Sequence, residues 1–130
     1  MSNRKSEENQ GTYAHMFAYR IPKGKHDALL SILERLARIY KKHGMLASRI
    51  YQLGQTQVFE GFEGFDMALD TSSGEEVWVE VDSYPNEDEF HKAVAHIGED
   101  QDPGPLWTEL AEATAERKVI MGEFHLLTQE

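Results

Sequence analysis

The 130-residue chain contains no cysteine. A disulfide, a thiolate nucleophile and a thiolate metal site are therefore excluded. Basic residues are scarce. Thirteen Lys and Arg stand against 23 Asp and Glu, for a formal charge of −10 at pH 7. Nucleic acid and anionic membranes both need clustered cations, so neither is an expected partner. No apolar run approaches the roughly 18 residues of a membrane span. Residues 1–11 are polar and lack the apolar core of a signal peptide. They read as a disordered tail, and a cytoplasmic location is the expectation. No Gly-rich phosphate loop, Walker motif or Ser-centred nucleophile elbow occurs. What is present, 40% hydrophobic and 28% charged residues, suits a single domain over residues 12–130.

Hydrophobic periodicity divides that domain into seven elements. Tyr13 to Ile21 alternates as a strand and ends at Pro22-Lys23-Gly24. From about Lys25 to Lys42, Leu29, Ile32, Leu33, Leu36, Ile39 and Tyr40 recur at three- and four-residue spacing. That is the stripe of an amphipathic helix, and Gly44 is its natural stop. Met45 to Leu53 and Glu75 to Tyr84 read as two further strands. Asn86 caps a helix whose first turn holds Glu87, Asp88 and Glu89 and whose inner face is Phe90, Val94 and Ile97. Pro105 opens another helix through about Glu116, and residues 117–127 form the last strand.

The order β-α-β-β-α-α-β predicts an α+β, ferredoxin-like split β-α-β fold. Its four-stranded antiparallel sheet should carry helices on one face and place the first strand between the third and fourth. Ala14, Met16 and Ala18 share one side of the first strand, and small residues invite close helix packing there. The helices are therefore expected on the alanine side. The opposite side, with Tyr13, Phe17, Tyr19, Trp78, Met121 and Leu127, is a large apolar patch. Pairing it with a second copy predicts a homodimeric α/β barrel. Between the second and third strands, residues 55–73 carry Phe59, Phe62, Phe65, Met67 and Leu69. They suit an arm on the partner subunit or a lid over the barrel mouth.

Three stretches carry a family resemblance. Tyr13 to Lys23 leads aromatic, small and hydrophobic residues into an Ile-Pro-Lys turn. Glu76 to Asn86 ends in Tyr84-Pro85, and Lys118 to Leu127 places Gly122 and Phe124 near its centre. These resemble the YbaA-like family, bacterial proteins of unknown function in the dimeric α/β-barrel superfamily. The last stretch is similar to that family's closing Lys-Arg-Met-Ile-Tyr-Gly-Gly-Phe, with Gly122-Glu123 in place of Gly-Gly. The resemblance spans most of Tyr13 to Leu127. It implies the fold and a homodimer, and it brings no established activity.

Candidate chemistry follows from the predicted strand order. It brings His15, Asp82 and His125 to one region of the barrel-facing side. Two histidines and a carboxylate suit Fe, Mn or Zn, and they also suit acid–base chemistry. The plainer alternative is a set of hydrated interface groups. Phe17, Tyr19, Trp78 and Met121 are expected to line a ligand cavity, although a strand Trp is often simply packed. Two classes stay open, with the cofactor undetermined. One is a protein that binds or transforms a small molecule in the barrel-facing cavity. The other is a non-catalytic dimeric module whose barrel is filled with side chains.

Overall fold

The computed structural model describes residues 11–114 and 118–128. Four strands, β1 (Tyr13–Pro22), β2 (Ala47–Gln52), β3 (Glu75–Tyr84) and β4 (Val119–His125), form one antiparallel sheet. Their order is β2-β3-β1-β4, so β1 lies between β3 and β4. The helices are α1 (His26–Lys42), the short α2 (Phe65–Ala68), α3 (Glu87–Glu99) and α4 (Gly104–Ala113). The arrangement is α+β and consistent with a ferredoxin-like fold. Residues 1–10 of the expected tail, and Ala115 and Glu116 of the expected last helix, lie outside the described residues. Gly11 is not tail-like. An added Cβ there would lie 2.0 Å from the Tyr84 carbonyl oxygen, so its backbone runs too close to β3 for any side chain.

The helices cover the face opposite to the one expected. The α1 stripe of Leu29, Ile32, Leu33 and Leu36 packs on Tyr19, Ile21 and Trp78, with Leu106 of α4 completing the cluster. Close approach to alanines is outweighed here by buried area. Aromatic rings bury about 150–250 Å² each. Each fully buried Leu or Ile contributes about 1.5–3 kcal/mol. The large side chains of β1 and β3 therefore take the helices. A second cluster joins Tyr13, Tyr84, Met45, Phe90 and Ala93 beneath α3. On α3 the inner face is Phe90, Ala93 and Ile97, while Val94 is nearly half exposed.

The alanine-bearing face keeps only partial cover. Leu69, at the end of α2, packs against Ala18 and Val77. The rest of that face includes Met16, Val79 and Val81, flanked by exposed Tyr51, Ile120 and Phe124. Gly122 has a steric role in β4. A Cβ at that position would come within 3.0 Å of the Phe124 ring, which folds back over the glycine. The segment before α2 leaves Phe59 and Phe62 exposed, and α2 itself leaves Phe65 and Met67 exposed.

Helix ends follow local chemistry. Gly44 takes φ +115° just past α1, a conformation open to glycine at little cost. Asn86 caps α3 by accepting a hydrogen bond from the Glu89 N–H at 2.9 Å. Asn86→Ala removes that acceptor and should cost about 1 kcal/mol of unfolding free energy, with Asn86→Asp close to wild type. Urea titration checks this, and equal midpoints for Asn86→Ala and wild type would refute the role of the cap.

Candidate functional site

A concave cavity of about 390 Å³ lies between the sheet and its helices. Its polar floor comes from strand alternation. On β3, Glu80 and Asp82 are two residues apart and face the helices, with Trp78 before them and Tyr84 after. On β1, His15 pairs with Asp82, Phe17 with Glu80, and Tyr19 with Trp78. Ser48 on β2 lies opposite Asp82. The apolar roof is Leu33, Leu36 and Tyr40 of α1 with Trp107 and Leu110 of α4.

Hydrogen bonds organise the floor. Ser48 Oγ donates to Asp82 Oδ1 at 2.6 Å, and the Tyr19 hydroxyl donates to Glu80 Oε1 at 3.1 Å. The two carboxyl groups are neighbours on one face of β3, and two carboxylates so close favour sharing a proton. Burial first, and then the Asp82 charge, push the Glu80 carboxyl up to about 9. The pair therefore carries one proton near neutral pH and one net negative charge. Asp82 is 8% exposed. Burial lowers the pKa of His15, opposed by the charges of Asp82 and Glu123. The imidazole is thus neutral near pH 7. Its Nε2 is buried and has no hydrogen-bond partner among the described residues. The ring packs 4.3 Å from Phe17 and meets Phe90 edge-on at 5.2 Å.

The expected site residues divide between this cavity and its surroundings. His15, Phe17, Tyr19 and Asp82 line it. His125 does not. Its ring sits 5.0 Å from Tyr13, and its Nε2 lies 3.9 Å from a Glu87 oxygen. The triad of His15, Asp82 and His125 is therefore not assembled. Among the described residues no group of three His, Asp or Glu side chains is placed to hold a metal ion. Trp78 is 1% exposed and belongs to the core, where its indole N–H donates to Glu76 at 3.0 Å. His26 holds the same Glu76 oxygen at 2.7 Å. Met121 is 62% exposed, away from the cavity. Leu127 is also exposed.

Sequence reasoning passed over Glu80, Ser48, Tyr40 and Trp107. One signal was available: Glu80 shares the strand face of Trp78 and Asp82. Two acids alternating with valines on a strand usually mark a solvated face.

Glu80 links stability to pH. Its folded pKa lies above the unfolded carboxylate value, so the native state binds the extra proton and loses stability as pH rises from about 5 to about 9. Gln can mimic the protonated carboxyl, donating to Asp82 and accepting from Tyr19. Glu80→Gln should therefore flatten the fall and raise the melting temperature at pH 8, by about 4 °C for each kcal/mol relieved. Thermal melts of both proteins from pH 5 to 9 check this. Parallel curves would mean that Glu80 is ionised in the folded protein.

No family model and no curated protein matches the chain. Among solved structures it is similar to the de novo designed protein Foldit4, with a TM-score of 0.46 and 13% identity over 91% of this chain and 98% of that one.

Proposed function

We propose that the protein is a cytoplasmic homodimer that binds a small molecule in the cavity between the sheet and its helices, as a member of the YbaA-like family. The observation that carries the ligand reading is the cavity itself. A volume of about 390 Å³ with apolar walls and a few convergent polar groups has the character of a ligand pocket. The site differs from the barrel-facing one first expected, because the aromatic and acidic side chains face the protein's own helices. A carboxyl group that holds its proton near pH 7, in one cavity with a neutral imidazole, can also serve acid–base chemistry. Glu80 is the proton donor in that reading and His15 the acceptor.

The alternative is a non-catalytic dimeric module with a side-chain-filled barrel, and that barrel would form on the other face of the sheet from this cavity. Occupancy can be tested with indole, a neutral apolar probe. Ligand-observed NMR should detect indole binding to the wild type and its loss in Ala37→Trp, which places an indole ring from α1 into the cavity. Absence of binding to the wild type, or undiminished binding to a folded Ala37→Trp protein, would end the reading.

The homodimer is supported by the partly covered sheet face. Tyr51, Ile120 and Phe124 are exposed there, and the nearby segment before β3 adds Phe59, Phe62 and Phe65. Exposed large apolar side chains in this number suit an association site. Two such faces packed about a two-fold axis would make the barrel, with the Phe-rich segments as arms. Light scattering should give the mass of two chains for the wild type and of one chain for Ile120→Lys/Phe124→Glu. A monomeric wild type at micromolar concentration would rule the assembly out.

A further inference from the structure

The chemistry of the cavity narrows the class of ligand it takes. Asp82 and Glu80 sit at its floor, buried and adjacent, and together they hold a net negative charge. Tyr19 and Ser48 donate one hydrogen bond to each carboxyl group, which eases desolvation but supplies no positive charge. No Lys or Arg lines the cavity among the described residues. His15, the one lining side chain able to become a cation, is held neutral by burial. A buried negative charge without a cation is costly and is normally paired. Beside it lies the cavity, walled by Phe17, Tyr19, Tyr40 and Trp107. Tyr40 of α1 and Trp107 of α4 line it together, close enough for the indole to act on the Tyr40 hydroxyl.

The geometry points to a small organic cation: an amine or ammonium group on an apolar body, its charge against the Glu80–Asp82 pair and its body among the aromatic rings. The proposal rests on the cavity reading above. Four aromatic rings around a desolvated site attract a cation through their negative faces, which adds to the carboxylate charge. The same features rank other classes below a cation. A carboxylate or phosphate would meet like charge with no Lys or Arg to receive it. A bare divalent metal would lack a third protein ligand among the described residues. A neutral apolar molecule would fit the walls and leave the buried charge unanswered.

The test compares three probes of one size at pH 7.5: phenethylamine, 2-phenylethanol and phenylacetate, by calorimetry and ligand-observed NMR on the full chain. Phenethylamine should bind at least about tenfold more tightly than the alcohol, and phenylacetate most weakly. Asp82→Asn should bring the amine-to-alcohol ratio close to one while alcohol binding persists. Should that variant fail to fold, the wild-type ratio and a nuclear Overhauser contact between the amine's methylene protons and the Trp107 indole decide the matter. Equal binding of amine and alcohol would overturn the charge assignment and leave the cavity standing. Preference for phenylacetate would overturn it outright. If none of the three probes and not indole binds, the cavity reading falls and this proposal falls with it.

Discussion

The structure turns on a single strand face that must do two incompatible things. From Trp78 to Tyr84, β3 directs Trp78, Glu80, Asp82 and Tyr84 towards the helices. Its two ends want apolar cover and receive it. Trp78 joins the α1 cluster, and Tyr84 packs with Phe90 of α3, their rings 4.9 Å apart. The two acids between them want water. Helices anchored at both ends of the strand close over its middle, and the acids are drawn in with the aromatics. A protein can tolerate this only by supplying donors and by letting one carboxyl group keep its proton. Tyr19 and Ser48 are the donors, and Glu80 keeps the proton.

Why the roof does not collapse onto the acids follows from the same conflict. Leu36 and Leu110 could approach only by stripping the remaining solvation from a net charge. The desolvation penalty of a carboxylate is several kcal/mol even after relaxation, against about 1.5–3 kcal/mol for burying one more leucine. Volume left beside the acids is therefore the lower-energy state. The cavity and the buried charge are two results of one placement. The cavity is a feature of polarity as much as of backbone geometry.

Much of the architecture was legible in the chain. The α1 stripe, the span of β3, the Asn86 cap and the Gly44 stop all arise from local patterns, and each is found where the pattern put it. The side of the sheet taken by the helices was not legible. Both faces of β1 are apolar enough to be covered, and alternation alone assigns residues to faces without saying which face receives α1. Buried area decides it, because Ile21, Tyr19 and Trp78 offer far more surface than Ala14 and Ala18. The candidate site inherited that error. His15, Phe17, Tyr19 and Asp82 were grouped on one face, as they are, but the face looks inward. His125 was grouped with them by strand register, yet it sits opposite Tyr13 at the sheet's end, where Glu87 takes it.

Local rules and the global fold disagree most sharply at Glu80. Natural chains agree across levels nearly everywhere, and exceptions concentrate where a stable core has been exchanged for something else. A leucine at this position would fill space, remove a charge and match its neighbours Val79 and Val81 in hydrophobicity. It would also erase the one polar feature of the cavity that Asp82 alone cannot supply: a second carboxyl group that holds a proton beside it. The acid pair is thus expensive as structure and specific as recognition. That imbalance between cost and structural benefit is the physical reason to read the cavity as a site rather than as imperfect packing.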